Sequence, residues 1–260
     1  MPTKNVLVTG SSRGIGRAIA LRLARDGWNV AVHYSANEAA ARETAEAIEG
    51  AGSPPPSLPQ GGGTLLGVYQ ADLYDSEKAV ALVEKVAGDH GLDALVNNAG
   101  VYRSTKFLTD DEAEVEQEFE DTFRVNWHSP RRMTFRACRH FAERGGGKVL
   151  NIVSRVAHRG EAGASAYSAS KAALLNLTRA LAVETADANI QHFAIAPGWV
   201  ETAMVRKDMD KRLPEILSTI PLGRMATPED VAGAAAYLLS DEASYLSGVV
   251  IDINGASYLR

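Results

Sequence analysis

The sequence predicts an α/β fold in which a doubly wound, parallel sheet carries helices on both faces. Short apolar or β-branched runs alternate with longer helix-like stretches, which is typical of parallel strands joined by crossover helices. A glycine-rich turn lies between the first such run and the first helix-like stretch. The chain has 260 residues, of which 45% are hydrophobic, and no repeat or linker divides it, so a single domain over 1–260 is predicted.

Seven short runs are predicted to form the strands, and helices fill most of the intervals between them. In chain order these runs cover residues 5–8, 28–33, 66–70, 94–97, 148–153, 191–195 and 249–253. The first predicted helix extends to about residue 26, and an alanine- and glutamate-rich helix is predicted over 36–49.

Two helix starts can be predicted from capping and charge. Thr227 is followed by proline and two acidic residues, the pattern of a capped first turn. Residues 110–121 are rich in aspartate and glutamate, which favours the N-terminal part of a solvated helix, because negative charge suits that end of the helix dipole. A cation or partner site is the alternative for this acidic run.

Residues 50–63 interrupt the alternation of strands and helices. Their sequence, GAGSPPPSLPQGGG, is dense in proline and glycine and predicts a loop insertion before the third strand, without chemistry of its own. A polyproline ligand is the alternative for this short run.

Charge and cysteine content exclude several classes of function. The net charge of −5 and the pI of about 5.7 argue against nucleic acid or an anionic membrane as a partner. The single cysteine, Cys138, can form no intramolecular disulfide and is predicted to be a small buried packing residue. Because no run reaches about 18 apolar residues and no signal peptide fits before residue 5, a cytoplasmic protein is predicted.

Tyr167 and Lys171 are four residues apart in the helix-like run AYSASKAAL, which places them on one face, one turn apart. An ammonium beside a phenol favours the phenolate, so the pKa of Tyr167 is expected to fall from about 10 toward neutrality. A tyrosine tuned in this way can pass a proton to or from a substrate oxygen. The alternative is an exposed tyrosine and lysine on a surface helix.

The glycine-rich turn has the spacing Gly-x-x-x-Gly-x-Gly, formed by Gly10, Gly14 and Gly16. Glycine lets the backbone turn sharply and approach a pyrophosphate, and the N–H groups that begin the next helix point at that anion. The position of the turn between a first strand and a first helix therefore indicates a nucleotide site.

Several groups of residues resemble the motifs of the classical short-chain dehydrogenases/reductases. Residues 9–16 resemble the TGxxxGxG turn of that family, residues 97–100 its NNAG motif, and Pro197-Gly198 with Thr202 its PG turn. The residues that match the catalytic tetrad of the family in order and approximate spacing are Asn126, Ser154, Tyr167 and Lys171. The resemblance covers essentially the whole chain and implies a Rossmann fold. Residues 220–260 are very like the tail of 3-oxoacyl-[acyl-carrier-protein] reductases.

This resemblance implies a role for each member of the tetrad in reducing a carbonyl with NADPH. Tyr167 gives the proton to the oxygen, and Ser154 holds that oxygen by a hydrogen bond. Lys171 lowers the tyrosine pKa and binds the nicotinamide ribose, while Asn126 holds a water of a proton relay. For Asn126 alone, bonding to local backbone is the alternative.

The end of the second strand bears on the choice between NADP(H) and NAD(H). An acidic residue there would bind the ribose hydroxyl of NAD, whereas Tyr34 and Ser35 occupy this place and no acid precedes Glu38. Arg13 offers a cation to a 2′-phosphate, so NADP(H) is the predicted cofactor and NAD(H) the alternative. The resemblance assigns Asp72 to the adenine amino group, and the alternative for Asp72 is a helix N-cap. The predicted cofactor-binding residues are Gly10, Ser12, Arg13, Gly14, Ile15, Gly16, Tyr34, Ser35, Asp72, Leu73, Asn98, Ala99, Gly100, Tyr167, Lys171, Pro197, Gly198, Val200 and Thr202.

By resemblance, residues 201–224 lie where the family carries a variable substrate lid. Its apolar members either line a pocket or pack onto the core. They are Met204, Met209, Leu213, Ile216 and Leu217. The candidates for contact with an anionic group of the substrate are Arg103, Arg155 and His158. No metal site is predicted, because the six histidines lack ligand spacing.

The expected partner is a small-molecule carbonyl compound or alcohol. It is either a 3-oxoacyl thioester on an acyl carrier protein or a free sugar, quinone or ketone. The reductases that the chain resembles dock an acidic carrier through basic residues near the active-site entrance, and the matching stretch before the sixth predicted strand, residues 186–189, has none. The alternative functions are an NAD-dependent alcohol or sugar dehydrogenase and a catalytically silent dinucleotide-binding protein. By resemblance, a homotetramer or homodimer is predicted.

Overall fold

A computed structural model of the chain describes residues 3–50, 62–203 and 209–259. Most of the predicted loop insertion at 50–63 lies outside these ranges. The centre of the predicted lid at 201–224 lies outside them as well, and so do the side chains of residues 209–211.

Seven strands in the described ranges form one sheet, in which every neighbouring pair is parallel. They are β1 (Asn5–Val8), β2 (Asn29–Tyr34), β3 (Leu65–Gln70), β4 (Ala94–Asn97), β5 (Gly147–Ile152), β6 (Ile190–Pro197) and β7 (Val250–Ile253). Their order across the sheet is β3-β2-β1-β4-β5-β6-β7. Each strand lies within two residues of its predicted bounds.

Eight α-helices are described, and they cover both faces of the sheet. They are α1 (Gly14–Arg25), α2 (Glu38–Gly50), α3 (Ser76–His90), α4 (Glu112–Phe123), α5 (Ser129–Glu143), α6 (Ser165–Glu184), α7 (Met209–Ser218) and α8 (Pro228–Leu239). The strand order and the two helical layers confirm the predicted doubly wound fold. None of the described helices is both long and apolar enough to cross a membrane.

The central strand β1 shows how the two cores form. Val6 and Val8 are buried on the face that α1 and α8 cover, together with Ile19 of α1. Leu7, between them, is buried on the opposite face with Leu82 of α3. Because successive side chains of a strand point to opposite faces, a strand covered on both sides must be apolar throughout.

Three helix starts test the capping predictions. Thr227 and Asp230 form a capping box at the start of α8, as predicted. Asp111 caps α4, so the acidic run is the N-terminal part of a helix, as predicted. The N-cap alternative for Asp72 is wrong, because α3 begins further along the chain and Asp75 caps it.

The carboxyl ends of the parallel strands lie along one edge of the sheet, called the carboxyl edge below, and their amino ends lie along the amino edge. The glycine-rich turn follows β1, residues 98–100 follow β4, Ser154 follows β5 and Gly198 follows β6. β1 and β4 are neighbours at the place where the strand order reverses. In open α/β sheets this is where ligands bind, so the fold brings all four predicted motifs to one cleft.

Candidate active site

The four tetrad residues approach one another at the carboxyl edge. Tyr167 and Lys171 lie one turn apart on α6, and Asn126 lies in a π-helical turn between α4 and α5. Ser154 lies close enough to the Tyr167 phenol to lower its pKa, and Lys171 Nζ lies 5.7 Å from the centre of the Tyr167 ring. A Cβ built on Gly100 would lie 3.2 Å from Asn126 Oδ1 and 3.4 Å from Lys171 Nζ, so these two residues flank the same glycine.

Tyr167 is half-buried, and desolvation of its phenol has the largest effect on its protonation state. Desolvation raises the pKa of the phenol to about 12, while Ser154 lowers it and Tyr102 and Glu161 raise it further. The expected fall of this pKa toward neutrality is therefore wrong for this arrangement. The physical reason is that desolvation destabilises the phenolate by more free energy than the neighbouring groups restore by stabilising it.

Lys171 is 3% exposed, and burial lowers the pKa of its ammonium to about 8. Its Nζ donates a hydrogen bond to Ile152 O at 2.9 Å. This carbonyl is its one hydrogen-bond acceptor in the described ranges, so two of the three N–H donors of the ammonium remain for a ligand.

Asn126 is fully buried and binds the loop that follows β4. Its Oδ1 accepts the N–H of Val101 and its Nδ2 donates to Val101 O, both at 2.9 Å. Nδ2 also donates to Ser170 Oγ at 3.3 Å. The alternative of bonding to backbone is thus confirmed, and the water of a proton relay stays a prediction. Single π-helical turns such as the one at Asn126 are frequent at functional sites.

Three glycines shape the turn after β1. Gly10 and Gly14 have φ values of +64° and +56°, in the left-handed region that favours glycine. A Cβ on Gly16 would overlap Gly10 O and Asn98 Nδ2. The turn therefore has no room for side chains and presents backbone groups to the cleft.

Thr9 and Asn98 hold the glycine-rich turn against the loop after β4. Thr9 Oγ1 accepts the N–H groups of Asn98 at 2.9 Å and of Ala99 at 3.1 Å. In return, Asn98 Nδ2 donates to Thr9 O at 2.8 Å. Two of the predicted cofactor motifs thus form one hydrogen-bonded unit.

The start of α1 fits an anionic ligand. Arg13 occupies the N-cap position without making a side-chain cap bond, and the first turn of α1 holds no acidic residue. The N–H groups of that turn therefore have no side-chain acceptor competing for them, and the positive end of the helix dipole favours an anion. Together with the close-packed glycines, this helix start fits the pyrophosphate of a dinucleotide.

The residues predicted to select the cofactor lie around the end of β2. Tyr34 is half-buried, Ser35 is exposed, and Arg13 is exposed in the glycine-rich turn. The first acid after β2, Glu38, pairs with Arg42 on α2 through a 2.9 Å hydrogen bond. Because Glu38 is engaged by a cation of its own helix, it is a poor substitute for the acid that NAD selectivity needs.

The remaining cofactor-binding candidates lie on the loops that follow β3 and β6. Asp72 Oδ1 accepts the N–H of Tyr74 at 3.1 Å, and Leu73 is buried beside it. After β6, a Cβ on Gly14 would lie 3.4 Å from Thr202 Cγ2, which places the PG turn against the glycine-rich turn. The other predicted members of the set are half-buried Ser12, half-buried Ile15 and buried Val200.

His33 is a structural member of the cofactor region that the sequence patterns did not single out. Gly10 N–H donates to its Nδ1 at 2.9 Å, so the ring proton lies on Nε2, which donates to Ala71 O at 3.1 Å. Burial lowers its pKa to about 4, which keeps the ring neutral and both bonds intact at neutral pH. The one available signal is a polar residue inside the apolar strand NVAVHY.

The three residues predicted to contact an anionic substrate group each lie near a carboxylate of this chain. Arg103 lies 3.6 Å from Glu118, and Arg155 lies 2.9 Å from Glu161. His158 Nε2 lies 3.4 Å from Asp252 Oδ1. Since the two arginines already have carboxylate partners, the structure does not favour Arg103 and Arg155 as anion-binding residues.

The structure describes only part of the predicted lid. Ile216 is buried with Ile220 and Met225 against Trp199, so for Ile216 the core-packing alternative is confirmed. Met204 and the side chain of Met209 lie outside the described residues. A cavity of about 560 Å³ lies beside this cluster and is lined by Trp199 and Ile220, by residues of α8 and by the C-terminal segment, and none of the tetrad lines it.

The stretch without basic residues lies away from the entrance to the site. Residues 186–189 precede β6 and therefore lie at the amino edge, opposite the cleft. Their lack of basic side chains says nothing about the entrance to the site.

Two other sequence expectations concern metal and thiol chemistry. The described ranges hold no group of three His, Cys, Asp or Glu side chains placed to bind a metal ion. Cys138 is half-buried on α5, and burial raises the pKa of its thiol to about 12, which leaves it a poor nucleophile.

A doubly wound sheet with a glycine-rich turn and a Ser-Tyr-Lys group at its switch point defines the class of nucleotide-dependent oxidoreductases. A family model described as Enoyl-(Acyl carrier protein) reductase matches residues 10–256, nearly the whole chain. The chain belongs to the short-chain dehydrogenase/reductase family and is an oxidoreductase, as its motifs predicted.

Relatives match over almost their full lengths. The 3-oxoacyl-[acyl-carrier-protein] reductase of Staphylococcus aureus (strain N315) is 34% identical over 258 residues, 99% of each chain. The acetoacetyl-CoA reductase of Rhizobium meliloti (strain 1021) is 36% identical over 254 residues, 97% of each chain. The crystal structure of a short chain dehydrogenase from Burkholderia cenocepacia J2315 in complex with NADP has a TM-score of 0.85 and 30% identity, covering 98% of this chain and 97% of that one. The predicted likeness to 3-oxoacyl-[acyl-carrier-protein] reductases is therefore confirmed.

Proposed function

We propose that this enzyme reduces a ketone carbonyl to an alcohol with NADPH, and that Tyr167 is the general acid. The observation that carries the proposal is the grouping of Ser154, the phenol of Tyr167 and the ammonium of Lys171 at the carboxyl edge, where Ser154 lowers the pKa of the phenol and Lys171 Nζ lies 5.7 Å from the centre of its ring. A 3-oxoacyl compound is the favoured substrate, because relatives named for 3-oxoacyl-carrier and acetoacetyl-CoA reduction match the whole chain.

NADP(H) is the proposed cofactor on three grounds. The glycines at 10, 14 and 16 and the uncapped start of α1 suit its pyrophosphate. Exposed Arg13 and the absence of an acid directly after β2 suit its 2′-phosphate. The related Burkholderia cenocepacia structure contains NADP. When bound, this cofactor supplies the hydride for the carbonyl carbon.

The chain's own residues supply the proton and the charge stabilisation. Ser154 donates a hydrogen bond to the carbonyl oxygen, and Tyr167 transfers its phenolic proton to that oxygen. Lys171 is mostly cationic at neutral pH, because its pKa of about 8 lies above that range. Its charge stabilises the negative charge that develops on the substrate oxygen and on the phenol. One hydride on carbon and one proton on oxygen complete the alcohol.

The raised pKa of Tyr167 favours reduction at neutral pH. A general acid must be protonated before it acts, and a phenol with a pKa of about 12 is protonated throughout the physiological range. Oxidation of an alcohol needs the phenolate instead, so that direction is expected to gain rate as the pH rises. An NAD-dependent alcohol or sugar dehydrogenase is thus the weaker candidate.

The test is a panel of carbonyl compounds, each offered with NADPH and with NADH and followed by the absorbance of the reduced nicotinamide. Acetoacetyl-CoA, a 3-oxoacyl carrier thioester, a diketone, a quinone and a keto sugar represent the substrate classes. We expect NADPH-dependent turnover of a 3-oxoacyl compound. Tyr167→Phe should lower kcat by about a thousandfold, because general acids contribute roughly 10² to 10⁴. Its NADPH affinity, measured by fluorescence, should be unchanged.

Each other outcome points to a different function. NADPH binding without turnover of any carbonyl would identify a silent dinucleotide-binding protein. Faster NADH-linked oxidation of alcohols at neutral pH would support the dehydrogenase alternative. Undiminished turnover by Tyr167→Phe would remove Tyr167 from the mechanism.

A homodimer or homotetramer is part of the proposal. Phe135 of α5 and Val183 of α6 are large apolar side chains that are mostly exposed in the single chain. A second copy would cover them and remove their apolar surface from water. Light scattering of the purified enzyme measures its mass, and a monomer at micromolar concentration would contradict this part.

A further inference from the structure

Tyr102 is the aromatic neighbour of the proposed acid. It lies in the loop after β4, and its ring meets that of Tyr167 edge to face, with centroids 5.3 Å apart and planes at 83°. Aromatic rings attract one another in this geometry. Tyr102 is nevertheless 40% exposed, so another part of its ring is open to the cleft or to solvent.

The loop that carries Tyr102 is anchored on its N-terminal side by the catalytic tetrad. Asn126 binds both backbone polar groups of Val101, the residue directly before Tyr102, at 2.9 Å each. Gly100 lies against both Asn126 and Lys171. Each of these contacts is made by a residue of the proposed catalytic group.

On its C-terminal side the same loop is anchored to the segment that leads into α6. Thr105 N–H donates to Gly163 O at 3.1 Å. A Cβ on Gly163 would lie 2.7 Å from Ser104 Oγ, so the two segments are in close contact. Gly163 precedes Tyr167 by four residues, and Tyr102 is therefore held between two anchors that both lead to the acid.

We propose that Tyr102 is a positioning residue for Tyr167: its ring edge fixes the phenol and keeps water away, and its exposed part forms one wall of the carbonyl subsite. This inference rests on the proposed function, since it assigns Tyr102 a role beside the same acid. It also explains the backbone bonds of Asn126, which fix the loop that carries Tyr102.

The polar groups around the Tyr167 phenol support the same role. Ser154 reaches it from the end of β5, Lys171 from the same helix, and Glu161 from the segment before α6. Desolvation is the largest cause of the raised Tyr167 pKa, ahead of all these groups. Removing the Tyr102 ring would admit water to the phenol, so its pKa should fall toward the ordinary value of a tyrosine.

Steady-state kinetics of three variants test the proposal. Tyr102→Ala should lower kcat about tenfold, the upper end of what an aromatic pair contributes, and should raise KM for the ketone. Tyr102→Phe keeps the ring and should restore both constants. Tyr237→Ala is the matched control, because Tyr237 is 44% exposed on α8 and makes no contact with Tyr167. It should behave like the unaltered enzyme.

A second measurement separates positioning from a merely structural effect and does not depend on turnover. The chain has eight tyrosines, so NMR of 13C-labelled tyrosine can follow each phenol through a pH titration. The Tyr167 resonance is assigned by its loss in Tyr167→Phe. Its titration midpoint should move to lower pH in Tyr102→Ala, move less in Tyr102→Phe, which loses only the charge interaction with the Tyr102 hydroxyl, and stay in place in Tyr237→Ala.

The proposal is overturned if Tyr102→Ala leaves kcat, KM and the Tyr167 titration as they were. It is also overturned if Tyr102→Phe is as impaired as Tyr102→Ala, since the ring edge would then not be the active feature. In both cases Tyr167→Phe would still be inactive. Failure of the proposed function looks different, because then no carbonyl compound is turned over or Tyr167→Phe is active.

Discussion

Two buried lysines lie at opposite ends of β5 and show how similar groups can serve different purposes. Lys148, the second residue of β5, lies at the amino edge and is 8% exposed. Lys171 reaches the other end of the strand, where it binds Ile152 O at the carboxyl edge. Burial lowers the pKa of both ammonium groups to about 8.

The two lysines differ in what surrounds the charge. Lys148 Nζ donates to Leu239 O at 3.2 Å and to Ser240 O, the carbonyls that end α8, and lies 3.8 Å from Asp241. A cation at a helix C-terminus is stabilised by the helix dipole, so the charge of Lys148 stabilises the fold. Lys171 has one carbonyl acceptor and no carboxylate within ion-pair distance in the described ranges. A lowered lysine pKa alone therefore does not identify a functional site.

The strongest test of this comparison replaces each lysine by methionine, which keeps most of the side-chain volume. Lys171→Met should lower kcat by at least about a hundredfold, the size expected when a preorganised charge is removed from an active site. Lys148→Met should leave kcat near that of the unaltered enzyme, because no residue of the proposed site contacts Lys148. Kinetics with NADPH and the best ketone of the panel give both values.

The control for both variants is the folded state, checked by circular dichroism and by NADPH binding. A folded Lys148→Met with the same loss of kcat as Lys171→Met would break the comparison. The amino edge would then contribute to catalysis as well.

The second test compares a glycine at the carboxyl edge with one outside the site. Gly16→Ala puts a methyl group onto Gly10 O and Asn98 Nδ2, so the glycine-rich turn must move. We expect NADPH affinity to fall at least about tenfold, because forcing an extra methyl group into a close-packed place typically costs about 1–3 kcal/mol. Fluorescence titration with NADPH measures the loss.

The matched control is Gly88→Ala in α3, where a Cβ would meet nothing within 4 Å. Alanine in a helix interior is favoured over glycine by about 1 kcal/mol, so this variant should unfold at a higher temperature and bind NADPH normally. Equal loss of affinity in the two variants would show that the close approach at Gly16 is not what holds the cofactor.

The strands, the glycine-rich turn and the tetrad could be predicted because each depends on a local pattern. Apolar runs, glycine spacing and the four-residue interval between Tyr167 and Lys171 are all visible along the chain. The likeness to a known family then placed Ser154 and Asn126 in the same site. These parts needed no knowledge of how distant segments meet.

The parts that could not be predicted depend on contacts between distant segments. Tyr102 meets Tyr167 only because the loop after β4 folds against α6. His33 binds Gly10 and Ala71 only because β1, β2 and β3 lie side by side. The direction of the Tyr167 pKa shift was predicted wrongly for the same reason, since it depends on how much water the whole fold removes from the phenol.

The smallest expected effect concerns the pH dependence of the free energy of unfolding. The two lysines should contribute to it alike. Both have folded-state pKa values of about 8, below the 10.5 of an ordinary lysine. Between these pH values the unfolded chain binds more protons than the folded chain, so the free energy of unfolding rises with pH. Each lysine contributes at most about 1.4 kcal/mol per pH unit. Lys148→Met and Lys171→Met should each remove a comparable part of this slope.

Chemical denaturation between pH 8 and pH 9 measures how the free energy of unfolding changes with pH. In this range few other groups contribute to the change. Burial raises the pKa of Cys138 from 9.0 to about 12, so above pH 9 the folded chain keeps a proton that the unfolded chain loses, and stability falls. Tyr167 acts in the same direction above pH 10. The contributions of Cys138 and Tyr167 are the same in each lysine variant and in the unaltered enzyme, so they cancel in the comparison. If Lys171→Met reduces the pH dependence of stability and Lys148→Met does not, burial does not lower the two lysine pKa values alike. The comparison between the two lysines would then fail, because it assumes that they do.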